Sequence, residues 1–351
     1  MPELNARSAE PTTLPPLAAW TRTRITAIIT RFRDQFPCMS SPSLPVSLPP
    51  ERRVGWPQLA AAFGLLALLV MIWRWGGTIA DSQAYYDTAR WLRGEIPASA
   101  LVAPFPYRIL VPALASIIPG DLRNGFALLN WVLVTAGACL MAATVLRAGL
   151  GQARAVAAGA LTIVALPVFW YAPYLLVDPG SVCARAAFVL AVLSGQPWLA
   201  AAAGLIGTAV REENILLLVW LVAFRRIAIL PGLAVLGLAA TWIVAVRWWL
   251  VAGLPGYTWA PGWRQVVRAL GDWRSLVSIA GSAALVVPLA AIGWRSAPRA
   301  LRPLASLLFL MALPPLYAAL CVRVDGRAVW GLYPFLVPFA ACVGLRKGVR
   351  G

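Results

Sequence analysis

The chain has 351 residues, of which 60% are apolar and only 12% are charged, a balance far from that of a soluble domain. Its 30 lysines and arginines outnumber 13 acids, which gives a net charge of +17, and it contains no histidine. This composition predicts an integral membrane protein. The lack of histidine excludes Ser–His and Cys–His nucleophile pairs and most transition-metal sites, so any catalysis has to use carboxylates.

The excess of arginine is interpreted as a topology signal and not as a nucleic-acid interface. Many arginines bracket apolar runs, as the positive-inside rule requires, and no basic stretch alternates with aromatic residues on a polar face. The cysteines have no CxxC spacing, and most lie inside apolar runs. The sequence therefore predicts neither a disulfide framework nor a zinc site.

Residues 1–53 differ from the rest of the chain and are predicted to be a cytoplasmic tail. They are rich in Pro, Ser, Thr and Arg and lack an apolar run near Met1, which argues against a cleaved signal peptide. Apolar residues between positions 25 and 36 recur at helical spacing opposite arginines. We expect the tail either to form an interfacial helix or to be disordered, and Met39 is a second candidate start.

The remainder, residues 54–351, is predicted to be an all-α membrane bundle of about ten spans, deduced from apolar run length and from the arginines between runs. The predicted spans are 56–75, 124–146, 155–174, 179–194, 197–210, 214–224, 227–250, 275–294, 303–322 and 329–345. Three segments in the middle are shorter than a normal span and meet at polar residues. They are expected to be short or broken helices that line a cavity.

The arginines in the connecting turns predict that both termini are cytoplasmic. Residues 76–123 then form a long external loop. This loop is expected to carry a short amphipathic helix that begins near Asp81 and ends at Gly94. The apolar piece 109–118 is too short to cross about 30 Å of hydrocarbon and is predicted to be a surface or re-entrant helix.

Charged groups near a bilayer are costly, so their positions are informative. Almost all acids that are neither terminal nor cytoplasmic lie on the predicted external side. Asp81 is interpreted either as the N-cap of the external helix or as a general base, and one residue can serve both roles. Asp178 precedes Pro179 and is likewise a natural helix cap.

Three groups of basic residues flank these acids. Arg108 follows the proline-stiffened turn 104–107 and is either an interfacial anchor or a bidentate ligand for a phosphate. The Arg-Glu-Glu-Asn stretch 211–214 interrupts a hairpin with short arms, which favours a functional cavity over a structural ion pair. Arg327 is an anchor or a further phosphate ligand. The aromatic residues of loop 253–274 are interpreted as an interfacial belt, with a platform for stacking a sugar ring or an isoprenoid chain as the alternative.

In their order along the chain, these motifs resemble the polytopic lipid-dependent glycosyltransferases of the GT-C superfamily, and the bacterial mannosyltransferase-like membrane proteins among them. Those proteins place an acid and a tyrosine ahead of a short helix that ends in glycine, then an external acid, a basic-acidic apex, and a late arginine before a proline-bearing last span. The matching residues are Asp81, Tyr85, Ala89, Leu92 and Gly94; Asp178; Arg211 and Glu212; and Arg327, Tyr333 and Pro334. The resemblance covers roughly residues 56–345.

The resemblance implies an enzyme of the bacterial inner membrane that moves a sugar from a polyprenyl-phosphate donor to a lipid or glycan acceptor at the external face. Asp81 would be the catalytic base on the acceptor hydroxyl. Arg108, Arg211 and Arg327 would bind the donor phosphate. The expected partners are membrane lipids and the polyprenyl-phosphate-linked sugar, with no nucleic acid.

Asp178 and Glu212 would either orient the acceptor or bind a divalent ion, Mg²⁺ or Mn²⁺. A transporter or flippase for a lipid-linked or small anionic substrate is the alternative function, because the same arginines and short helices suit it. A non-catalytic scaffold subunit is a third class.

Overall fold

Helices make up the regular structure of this chain. The computed structural model describes residues 55–254, 260–322 and 324–345, so the predicted tail 1–53 lies outside the described residues. Within the described ranges there is no β-strand, and the only extended pairing is a single bridge between Gly77 and Tyr174. The predicted all-α fold class is confirmed for this part of the chain.

The α-helices are numbered here in chain order over the described residues. They are α1 Trp56–Met71, α2 Ala80–Leu92, α3 Leu110–Ser116, α4 Leu122–Arg147, α5 Gln152–Val164, α6 Leu166–Tyr171, α7 Asp178–Leu193, α8 Pro197–Val210, α9 Ile215–Ala223, α10 Ile229–Ala245, α11 Trp263–Gly271, α12 Trp273–Ala283, α13 Val286–Trp294, α14 Arg302–Cys321, α15 Arg327–Trp330 and α16 Tyr333–Ala340. Short 3₁₀ turns lie at Ile72–Arg74, Ala98–Ala100, Phe105–Tyr107, Glu212–Asn214 and Arg299–Leu301, and a π turn at Val246–Leu250 extends α10.

Several helices are long and apolar enough to cross a membrane, which indicates a membrane protein. These 5 stretches are Trp56–Arg74, Leu122–Arg147, Gln152–Tyr171, Ile229–Leu250 and Arg299–Cys321. The pair α12 and α13 bends by 43° and adds a sixth if the two count as one span. In the predicted aromatic belt, Trp263 and Trp273 are 78% and 66% exposed, as side chains at a lipid interface would be.

The predicted count of about ten spans is not confirmed. Helices α7, α8 and α9 have 16, 14 and 9 residues, whereas a helix needs about 20 to cross the hydrocarbon core. In place of the predicted last span 329–345 there are two short helices, α15, which begins before it, and α16, which lies within it. The middle of the chain is therefore built from short helices, and α8 and α9 form a hairpin whose apex is Glu212–Asn214.

Helix α7 is the central element of the bundle. It packs against α4 and α8, and α16 also contacts it. Most of its side chains are buried, including the polar Asp178, Ser181 and Arg185. A Cβ at Gly180 would lie 2.7 Å from Cγ2 of Val111, so the glycine lets the start of α7 approach α3 closely.

The segment between α1 and α4 folds around α2 and α3, which pack on each other. Gly94, at φ +73°, follows the end of α2. Arg93 then donates hydrogen bonds to the carbonyl oxygens of Ser116, Ile118 and Gly120 at 2.9, 2.5 and 2.9 Å. Because these carbonyls lie at the end of α3 and in the turn after it, Arg93 fixes α3 relative to α2. Arg108 lies two residues before α3, so its position relative to α2 is fixed as well.

Candidate active site

A cavity of about 520 Å³ brings together residues that are far apart in sequence. Its wall is formed by α2, the turn before α3, α7, the apex between α8 and α9, the π turn after α10, and the helices α14 and α15. Every site residue expected from the sequence lies on this wall: Asp81, Arg108, Asp178, Arg211, Glu212 and Arg327.

Asp81 lies in the first turn of α2 and forms an ion pair with Arg327. Nη2 of Arg327 donates to Oδ2 of Asp81 at 2.6 Å, and Nε of Arg327 donates to the carboxylate of Asp325 at 3.0 Å. Asp81 is not the N-cap of α2, because α2 begins after Ile79, and the Ile79 amide donates to Oγ of Ser82 at 2.7 Å. The side chain of Asp81 remains 36% exposed and open to the cavity.

Arg211 connects α7 to the apex of the hairpin. Its Nη1 donates to Oδ1 of Asp178 at 2.5 Å, and its Nη2 donates to Oε2 of Glu213 at 3.3 Å. Asp178 is itself almost fully buried at the start of α7. The pair therefore neutralises a carboxylate that would otherwise be buried without compensation.

Arg185 lies in the middle of α7, is 3% exposed, and was not singled out from the sequence. Its Nη2 donates to Oε1 of Glu213 at 2.5 Å, its Nε to Oδ1 of Asn214 at 2.6 Å, and its Nη1 to the carbonyl of Gly331 at 2.7 Å. One guanidinium thus ties α7 to the apex and to the segment that follows Arg327. The signal in the sequence was an arginine inside a predicted span, where charge is rare and usually functional.

Burial alone would raise the pKa of Glu213, but the charges of Arg211, Arg185 and Arg108 outweigh it and lower the pKa to about 2. The carboxylate is consequently ionised at neutral pH and serves as a fixed anchor for the arginines around it.

Arg247 is a second arginine that the sequence analysis missed, at the end of a predicted span. Its Nη2 and Nε donate to Oε1 of Glu212 at 2.6 and 3.1 Å. Its guanidinium carbon lies 5.0 Å from the centre of the Tyr107 ring, within cation–π range. Glu212, which was expected to orient the acceptor or bind a metal, is therefore held by an arginine.

Arg108 differs from the other arginines on the wall. Its Nη1 donates to the hydroxyl oxygen of Tyr85 at 2.6 Å, and among the described residues it forms no salt bridge. Burial raises the pKa of the Tyr85 hydroxyl above its usual value, so the partner of Arg108 is neutral. Arg108 is half-buried and lines the cavity.

In the described part of the chain, no group of three His, Cys, Asp or Glu side chains is arranged to hold a metal ion. Asp178 accepts one hydrogen bond and Glu212 accepts two, in each case from a single arginine to a single oxygen. Their second oxygens are the atoms that would be left for a cation.

Comparisons with protein-family models, with curated proteins and with solved structures find no match to this chain. Its function has to be inferred from the chemistry of the cavity.

Proposed function

We propose that this protein is a membrane glycosyltransferase that moves a sugar from a polyprenyl-phosphate donor to a lipid or glycan acceptor at the external face of the bacterial inner membrane. The main supporting observation is that an open carboxylate, Asp81, and a cation that forms no salt bridge with the described residues, Arg108, share the wall of one cavity in a membrane bundle. Sugar transfer from phosphate needs a base for the acceptor proton and fixed positive charge for the departing oxygens.

In the proposed reaction, the acceptor hydroxyl oxygen attacks the anomeric carbon of the donor sugar and its proton passes to Asp81. The bond between the anomeric carbon and the phosphate oxygen breaks, and its electron pair leaves with the polyprenyl phosphate. Only Oδ2 of Asp81 accepts a hydrogen bond from the described residues. Oδ1 is therefore available to take the proton while Arg327 holds the carboxylate in place.

Asp178 and Glu212 orient the acceptor in this proposal, or they bind Mg²⁺ or Mn²⁺ through their second oxygens and keep the ion largely hydrated. Activity measured with EDTA, and again after adding back each ion, separates the two roles. Loss with EDTA that one ion restores supports metal binding, whereas full activity in EDTA supports the metal-free role.

The proposal is tested by Asp81→Asn, which keeps the size of the side chain but removes the base. We expect transfer to fall by about 10²-fold or more, measured by mass spectrometry of lipid-linked glycans in a deletion strain that carries the variant. Asp87→Asn is the matched control, because Asp87 lies on the same helix and pairs with Gln83 at 3.0 Å outside the cavity wall. A normal product level with Asp81→Asn would rule out Asp81 as the base.

A transporter or flippase for a lipid-linked or small anionic substrate is the second candidate. The short helices α7, α8 and α9 favour it, because their ends meet at the cavity as the broken helices of secondary transporters do. In that case the deletion strain would accumulate the unmodified substrate on one side of the membrane, and no glycan would lose a sugar.

A further inference from the structure

The arginines on the cavity wall fall into two kinds. One kind contacts carboxylates directly: Arg185, Arg211, Arg247 and Arg327. Arg108 instead donates to the phenol of Tyr85. A carboxylate in contact cancels most of the field of an arginine. Glu213 and Glu212 act on Arg108 only at longer range, so the neutral hydroxyl of Tyr85 orients the guanidinium and leaves part of its positive charge for a ligand.

Tyr85 is itself rigidly held. It is 1% exposed, and its ring packs edge-to-face against Phe105 with 5.3 Å between ring centres and an interplanar angle of 87°. Phe105 belongs to the 3₁₀ turn that ends immediately before Arg108. The hydroxyl of Tyr85 therefore meets Arg108 from α2, while the ring supports the turn that carries Arg108.

We propose that Arg108 is the arginine that binds the donor phosphate and that Tyr85 is the positioning residue that aims it. Arg211 and Arg327 then serve to hold the carboxylates Asp178 and Asp81, and do not bind the phosphate. This inference rests on the proposed function for the identity of the ligand, a lipid monophosphate.

In this proposal one face of α2 carries both the base, Asp81, and the residue that positions Arg108, Tyr85. Asp81 and Tyr85 are four residues apart, so they lie about one turn, or roughly 6 Å, apart along the helix axis. The base projects from one turn and the partner of the phosphate-binding arginine from the next. In this proposal the sugar lies between Asp81 and the phosphate on Arg108, because both residues line the same cavity and the acceptor has to attack from the side opposite the leaving group.

The test measures binding of undecaprenyl phosphate, with undecaprenol as the uncharged reference, to the full-length protein in phosphatidylcholine nanodiscs. We expect the wild type to prefer the phosphate and Arg108→Gln to lose this preference. Tyr85→Phe keeps the ring and removes one hydrogen bond, so it should weaken phosphate binding by about three- to tenfold. Tyr86→Phe is the matched control, because the Tyr86 ring stacks under Arg123 at 4.8 Å and does not line the described cavity.

The double variant Tyr85→Phe with Arg108→Gln distinguishes positioning from general support of the fold. If Tyr85 acts through Arg108, the double variant binds like Arg108→Gln alone. Losses that add, or unchanged binding in Tyr85→Phe, would overturn the role of Tyr85. A wild type without preference for the phosphate, or Arg108→Gln that keeps the preference, would overturn the assignment of Arg108.

Binding and transfer can fail separately. If Arg108 and Tyr85 govern probe binding but no sugar is transferred, the phosphate site stands and the proposed enzyme does not. If Asp81→Asn abolishes transfer while Arg108→Gln and Tyr85→Phe leave probe binding unchanged, the enzyme stands and this inference is wrong.

Discussion

The two almost fully buried charged side chains of the cavity, Asp178 and Arg185, each form an ion pair. Arg185 is 3% exposed and uses all three of its nitrogens as hydrogen-bond donors. An ionised group in such a place is tolerated only when its partners are present, and the loss of one partner leaves the other charge buried. The network should therefore be more sensitive to single substitutions than the ion pairs on the surface.

Arg185→Gln is expected to lower the free energy of unfolding by about 3 kcal/mol or more, because it leaves Glu213 with only its longer contact to Arg211 at 3.3 Å. Denaturant unfolding in dodecylmaltoside measures this loss. Arg90→Gln is the control: the Arg90 side chain is 35% exposed in its pairs with Asp87 and Glu95, so its loss should cost less than about 1 kcal/mol. If Arg185→Gln and Arg90→Gln lowered the free energy of unfolding equally, the stabilising role of the buried network would be contradicted.

The low pKa of Glu213 predicts a particular pH dependence of stability. Burial opposes ionisation, but the surrounding arginines lower the pKa from 4.5 to about 2. The Glu213 carboxylate has a lower pKa in the folded protein than in the unfolded chain, so its ionisation stabilises the fold. This contribution to the free energy of unfolding is complete above about pH 4.5 and is lost as the pH falls toward 2. The wild type should therefore lose its advantage over Glu213→Gln across this window.

Unfolding midpoints of the wild type and Glu213→Gln, measured from pH 7 to about pH 2.5, check this expectation. The difference between the midpoints of the wild type and Glu213→Gln should be constant from pH 7 down to about pH 4.5 and should become smaller below that pH. Glu95→Gln is the control, because the Glu95 side chain is 41% exposed. A difference that stays the same at every pH would contradict the low pKa.

Chain position and residue chemistry were enough to predict six of the residues that line the cavity, but not Arg185 or Arg247, and not which residues pair. Asp81 pairs with Arg327, which is 246 residues away in the sequence, and Asp178 pairs with Arg211, which is 33 residues away. No local pattern encodes such contacts. Arg185 was missed because its neighbours in α7 are apolar, so the segment was interpreted as an ordinary membrane span. The one indication in the sequence was the high cost of placing an arginine inside such a span, which implies that the arginine has a partner of opposite charge.

At the scale of helices, the position of Arg327 depends on how closely α15 approaches α12. A Cβ on Gly326 would collide with Oγ of Ser282 and lie 2.6 Å from the carbonyl oxygen of Ser278. The amide of Gly326 also donates to Oγ of Ser278 at 2.8 Å. A glycine at this position therefore sets the distance between the two helices, and with it the reach of Arg327 toward Asp81.

Gly326→Ala is expected to lower the free energy of unfolding by about 1–3 kcal/mol, because the added methyl group forces backbone atoms apart. It should also reduce transfer by displacing Arg327. Gly237→Ala in α10 is the control, since an added Cβ meets no described atom within 4 Å and alanine is the better helix former. Thermal unfolding of both variants checks the prediction, and an unchanged Gly326→Ala would contradict the close approach.

Apolar run length predicted the bounds of the long and the short helices, but it does not establish whether the short ones cross the membrane. Helices α7, α8 and α9 match the predicted segments 179–194, 197–210 and 214–224 to within one residue. Leu122–Arg147 and Gln152–Tyr171 correspond closely to the predicted spans 124–146 and 155–174. In α7 most residues are covered by other helices, whereas Trp198, Leu199 and Ile206 of α8 are more than half exposed. A helix buried inside a bundle and a helix facing lipid have the same composition, so run length alone cannot separate them.

At the scale of the whole bundle, the charged cavity lies at one end of its central helix. Helix α7 begins at Asp178 on the cavity wall, ends at Leu193 and has 16 residues, so it is about 24 Å long. The exposed Gln196 follows that far end. If the positive-inside rule orients the chain as expected, the cavity opens to the external face and Gln196 faces the cytoplasm.

This orientation predicts which positions a membrane-impermeant maleimide can reach when a single cysteine is introduced into a chain whose native cysteines are replaced by alanine. Glu95→Cys should be labelled in intact cells, because residue 95 lies in the loop 76–123 that the arginine distribution places outside. Gln196→Cys should be labelled only after permeabilisation. Labelling of residue 196 but not residue 95 in intact cells would place the cavity on the cytoplasmic side, where an acceptor and donor exposed at the external face cannot reach Asp81.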